Sequence, residues 1–117
     1  MPTVKIVHIR DYPQSWYIGR TDSVRPATGN PLARGFWGNP FLVAHGNTRK
    51  QAVAQHMRWA RQTTAIMENL LVLVRPELMD TETGVVLWGC FCKTEHAPDT
   101  LCHGDNLLVL CREAGLI

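Results

Sequence analysis

Apolar and polar residues alternate in Val4-Lys5-Ile6-Val7-His8-Ile9, which predicts an opening β-strand ended by the Asp11–Pro13 turn. Trp16-Tyr17-Ile18 is a second, short strand candidate, and Gly19-Arg20 leaves it. From Thr21 to Gly46 the period disappears, and three prolines and four glycines punctuate the stretch. A run of that length without structure, inside a compact domain, points to a functional loop. Helical spacing returns at Val53, His56, Met57, Ala60 and Thr64. Ahead of it, Thr48-Arg49-Lys50-Gln51 has the form of a capping box, so the pattern predicts a helix over Thr48–Thr64. Ile66, Met67, Leu70, Leu71 and Val74 make one stripe of a second helix over Ala65–Val74, which must stop before Pro76. Asp80–Gly84 reads as a turn. Val85–Cys92 is a continuous apolar run, as expected of a strand buried on both faces. A last helix begins near His103–Asp105, with Leu107, Leu110, Cys111 and Ala114 as its buried stripe and Gly115 as its C-terminal cap.

The order strand, strand, helix, helix, strand, helix predicts a single α/β domain over residues 1–117. Its core is a small Rossmann-like sheet, mostly parallel, with about three helices packed on it. Ligands of such sheets sit beyond the C-terminal strand ends, facing helix N-termini. At 117 residues the chain has room for one domain, and 45% apolar residues with four tryptophans give it a packed core. Twelve basic and ten acidic residues leave a net charge of +2, which neither demands nor excludes nucleic acid. The longest apolar runs, Leu70–Val74 and Val85–Cys92, fall far short of the ~20 residues that span a bilayer, so no membrane partner is expected. Lys5, His8, Arg10 and Asp11 interrupt the first apolar stretch, so no secretory signal is read and a cytoplasmic location is expected. In that compartment Cys90, Cys92, Cys102 and Cys111 are thiols or metal ligands rather than disulfides.

The densest set of reactive groups lies in Cys90–Asp105. Cys90 and Cys92 are two apart on a strand, so both thiols point to one face. Cys102-His103-Gly104-Asp105 follows at a helix start, where free amides and the dipole favour anions and lower a thiol pKa. Gly104 permits close backbone approach to a ligand, and Asp105 can hold His103 in one tautomer. Three roles stay open: a zinc site of Cys90, Cys92, Cys102 and His103; a Cys/His nucleophile and base; or a phosphate- and base-binding turn. Core cysteines with a simple helix cap are the plain alternative, and Cys111 fits the core. A second cluster is Gly38-Asn39-Pro40-Phe41, flanked by Arg20 and Arg49. Asn39 suits a base or ribose edge, Phe41 or Trp37 can stack on a planar ring, and Arg20 or Arg49 can pair with phosphate. Turn chemistry alone also accounts for Gly-Asn-Pro. His45 and His96 read as solvated loop residues, His8 and His56 as structural ones.

Taken together, Tyr17-Ile18-Gly19-Arg20, Gly38-Asn39-Pro40-Phe41, Thr48-Arg49, Cys90-Phe91-Cys92 and Cys102-His103-Gly104-Asp105 carry a resemblance. In this order, over nearly the whole chain, they resemble a family of short phage and bacterial proteins catalogued as a domain of unknown function. The chain departs from that pattern in a longer Arg75–Gly84 connection and in the acidic Lys93–Leu101 insert. The resemblance implies one site shared by both clusters and supplies no reaction.

The reading is therefore a cleft between the Gly38–Phe41 loop and the Cys102–Asp105 helix start, binding a nucleotide or nucleic-acid-derived small molecule. Arg20, Asn39, Phe41, Arg49 and Cys92 are its expected binding residues. Cys102, His103 and Asp105 are the expected catalytic ones, if it hydrolyses or transfers at a glycosidic or phosphate bond rather than sequestering a signalling nucleotide. Removing His103 is expected to spare the fold. The rival is a zinc-stabilised interaction module that touches nucleic acid or protein through Arg49, Lys50, Arg58 and Arg61. No cofactor and no oligomeric state is legible.

Overall fold

The structure, a computed structural model, describes residues 2–41, 48–92 and 100–117. The expectations for His45, His96 and most of the Lys93–Leu101 insert lie outside the described residues. Three strands, β1 (Val4–His8), β2 (Trp16–Tyr17) and β3 (Val86–Cys90), form one sheet in the order β1-β3-β2. Both pairings are parallel, Val4 opposite Val86 and Trp16 opposite Trp88. The last strand in the chain is thus the central one, and all five of its residues are buried, as its unbroken apolar run requires.

The apolar run outlasts the strand. The ladder ends where Ile9 N–H donates to the Cys90 carbonyl at 3.0 Å and Ile18 N–H to that of Gly89 at 2.9 Å. Beyond those bonds no strand pairing continues among the described residues, and Phe91 is 55% exposed.

Helix α1 (Arg49–Gln62) starts at the predicted capping box: Thr48 accepts from Gln51 N–H, and the Gln51 side chain accepts from Thr48 N–H. The predicted second helix does not run through. Helix α2 spans only Thr64–Met67, and a 3₁₀ segment follows at Leu70–Val74. At Asn69 the side chain takes the Ala65 carbonyl at 2.8 Å, while its own N–H bonds Ile66, three residues back. Three residues per turn then align Leu70 with Leu73 rather than Leu71. Leu73 is fully buried, and Met67 and Leu71, expected in the stripe, are exposed. The buried Trp88 indole donates to the Leu73 carbonyl at 2.8 Å, locking this segment to β3.

Helix α3 (His103–Glu113) packs against α1, β1 and the Leu70–Val74 segment. Leu107, Leu110 and Cys111 are buried as predicted, whereas Ala114 is an exposed capping residue. Leu116 N–H reaches back to the Cys111 carbonyl and Gly115 N–H to that of Arg112, closing a Schellman turn. Arg61 of α1 and Glu113 of α3 form a two-pronged ion pair at 2.7 and 3.1 Å. No helix among the described residues is long and apolar enough to cross a membrane.

Candidate functional site

The C-terminal ends of the parallel strands all open on one side, and the start of α3 faces them there. Cys90 closes β3, Cys92 lies two residues beyond it, and Cys102 is the N-cap of α3. Their Sγ atoms lie within 4.8 Å of one another. The Cys90 and Cys102 sulfurs are 3.6 Å apart. Thiolates sharing one tetrahedral zinc at Zn–S of about 2.3 Å stand roughly 3.8 Å from each other, so the cluster has the right size for a single ion.

The three thiols form one wall of a cavity of about 450 Å³. Its other walls include Arg20, Asn39, Phe41, Arg49 and His103, so residues some sixty positions apart converge as the shared-site reading expected. No carboxylate lines it among the described residues. Among the described residues, Arg20 and Arg49 supply the cationic side chains of the wall.

Cys102 and Cys90 hydrogen-bond to the Cys92 sulfur, and with Arg49 beside it they hold the Cys92 thiol far below the usual thiol range, against the effect of burial. Cys102, bonded to Cys90 and Cys92 and buried, is pushed far the other way. The Arg49 guanidinium beside Cys92 favours a thiolate in the cluster. Binding of a metal deprotonates the rest.

His103 stands apart from the thiols. Its Nε2–H donates to the Ile18 carbonyl at 2.7 Å, and its Nδ1 lies 3.8 Å from the Cys102 sulfur. It does not join the group that can share an ion, which corrects the four-ligand set to three thiols. The ring is buried, and burial lowers its pKa, partly offset by the Ile18 carbonyl. A side chain so placed supports the fold as well as the cavity, so its removal is expected to cost stability as well as binding.

Asp105 accepts from Cys102 N–H at 3.1 Å, which completes a capping box. The group seen to fix the His103 ring is the Ile18 carbonyl. Gly104 serves packing rather than ligand approach: a Cβ there would meet Ile18 Cδ1 at 2.7 Å and Ile6 Cδ1 at 2.9 Å. Asn39 spends most of its amide on the fold, accepting from Phe41 N–H at 2.9 Å and donating to the Ala52 carbonyl at 3.2 Å. Phe41 sits edge-on to Trp59, 6.4 Å between centroids, anchoring the loop to α1. Trp37 is 1% exposed and cannot stack on a ligand. Arg61, assigned to a basic surface in the rival reading, is paired with Glu113.

Two features go beyond the sequence reading, which took His56 as structural without naming its partners and Phe91 as a strand residue. His56 is fully buried, edge-on to His103 at 5.2 Å, and its Nδ1 accepts from Asn106, which also donates to the Val53 carbonyl. Its Nε2 has no partner among the described residues. A polar Asn beside Leu107 in an apolar stripe was the available signal. The other is Phe91, which reads in sequence as one more apolar strand residue and in fact stands at the cavity mouth beside Tyr17, 5.7 Å between ring centroids.

The profile of the DUF4326 family, a domain of unknown function, matches residues 4–113. The chain belongs to the DUF4326 family. That span carries both site clusters of this DUF4326 domain, from β1 through α3. Searches of curated proteins and of solved structures returned no match.

Proposed function

We propose that this DUF4326 domain is a metal-centred small-molecule site: Cys90, Cys92 and Cys102 hold a zinc ion in the wall of the cleft, and the cleft takes a nucleotide-like ligand. The observation that carries the reading is the convergence of three thiols, within 4.8 Å of one another, on an open cavity. Soft thiolates at this spacing favour zinc over magnesium or calcium. If the three thiols, the candidate ligands among the described residues, held a tetrahedral ion, they would leave it a fourth position for water, a further side chain or a ligand oxygen. Three thiolates and one Zn²⁺ sum to a single negative charge, which Arg49 offsets from beside Cys92.

The nucleotide-like ligand is supported by the rest of the lining. Arg20 and Arg49 suit phosphate, the remaining Asn39 amide hydrogen suits a base or sugar edge, and Phe91 and Tyr17 offer rings to a planar base. The Rossmann-like position, beyond the C-terminal ends of parallel strands, is where such ligands bind in α/β sheets. Sequestration needs only these contacts. Hydrolysis or transfer at a phosphate or glycosidic bond would need in addition an activated water, which a zinc held by the thiols would supply, and His103, with Nδ1 3.8 Å from the Cys102 sulfur, is the candidate proton carrier.

Protein purified without added zinc is expected to carry about one zinc per chain by elemental analysis, and a nucleoside-phosphate panel is expected to raise its melting temperature. Metal-free protein with normal stability would sink the zinc reading. Absence of any thermal shift with zinc-loaded protein would sink the nucleotide reading, and a turnover assay on the same panel separates binding from catalysis.

A further inference from the structure

The binding features do not stop at the rim of the cavity. The Phe91 ring neighbours Tyr17, a cavity residue, and also His8 and Arg10, which do not line the cavity. His8 sits edge-on to Phe91 at 5.5 Å, and the Arg10 guanidinium lies 5.9 Å from the ring centroid. Phe91 is more than half exposed and, unlike a scattered surface hydrophobic, is grouped with two aromatic neighbours and an arginine. A mononucleotide filling the cavity leaves this outer face unused. A chain of nucleotides does not.

We infer that the ligand of the cleft is one nucleotide of a single-stranded nucleic acid, whose next base lies on the outer platform of Phe91, His8 and Arg10. The inference rests on the nucleotide-like reading of the cleft and extends it. Stacking surfaces interleaved with cations along a groove are how single strands are held without a base-pairing partner. Arg10 lies at the platform and Arg20 and Arg49 line the cleft, and among the described residues the cavity wall carries no carboxylate. A duplex keeps its bases stacked on each other and has none to offer Phe91.

The test uses zinc-loaded protein and labelled single strands of about a dozen nucleotides, oligo-dT and oligo-U, read by fluorescence anisotropy. Single strands are expected to bind at least tenfold tighter than the mononucleotide, with one of the two sugars preferred or both accepted, and a duplex of the same length is expected to bind far more weakly. Phe91→Ala should weaken the oligonucleotide about tenfold at unchanged melting temperature, since the ring is exposed. Arg10→Ala should weaken it several-fold and flatten the salt slope by roughly 0.7, one phosphate contact, while leaving the mononucleotide untouched. Equal affinity for strand and mononucleotide, or a Phe91→Ala protein that binds the strand normally, overturns the inference and leaves the cleft reading standing. Loss of mononucleotide binding in the wild type overturns both.

Discussion

Burial and the neighbouring His103 ring push His56 down to about 3, so the imidazole stays neutral in the folded protein wherever it would be charged in the unfolded chain. The folded value lies below the unfolded one, so the unfolded state takes up the proton first as pH falls. Stability is therefore complete above about pH 6.5 and declines as pH drops toward 3, by on the order of 3 kcal/mol at about pH 4. Melting temperature against pH should show that slope. His56→Gln, which keeps an acceptor for Asn106, should start lower and run flatter. Cys102 offers a cleaner separation of roles, because its sulfur both caps α3, accepting from Gly104 N–H at 3.3 Å, and belongs to the thiol cluster. Serine caps helices well. Cys102→Ser is expected to fold with metal-free stability near wild type while its zinc content falls below a tenth of an equivalent. Retained stoichiometric zinc would remove Cys102 from the ligand set.

The loop before α1 meets the chain leaving β2 with almost no clearance. A Cβ on Gly38 would come within 2.5 Å of Arg20 Cγ and 2.9 Å of its Cα, and backbone cannot yield as a side-chain tip does. Gly38→Ala is expected to cost roughly 1–3 kcal/mol and to weaken anionic ligands at the same time, because Arg20 must move. Denaturant unfolding and the nucleotide panel measure the two effects. This contact also shows what pattern reading reaches and what it does not. Strand β3, the capping box of α1 and the start of α3 follow from local periodicity and cap chemistry, and they place Cys90, Arg49 and Cys102. The break after Met67 was not legible, because the Asn69 amide competes for a carbonyl that a helical pattern assigns to backbone. Nor was the exposure of Phe91, which depends on where two other strands end. The partners of His103 and Asp105 could not be read either, since Ile18 approaches from a distant segment and nothing in Cys-His-Gly-Asp names it.

Among the described residues every strand pairing runs through β3, with β1 on one edge and β2 on the other, so these first strands find that partner only once the chain has been synthesised past Cys90. On a ribosome the amino-terminal half must wait, with its tryptophans and Val4–His8 unprotected, for a strand that arrives late. Pairings this distant in sequence are slow to form, and the waiting chain is open to aggregation. The thiol cluster shares this history, because two of its sulfurs come with β3 and the third with α3. Any metal capture by the cluster would thus be a late event, and a chain truncated before Val86 should yield neither the sheet nor the thiol cluster. Truncated nascent chains probed by limited proteolysis should stay fully digestible until α3 has cleared the exit tunnel.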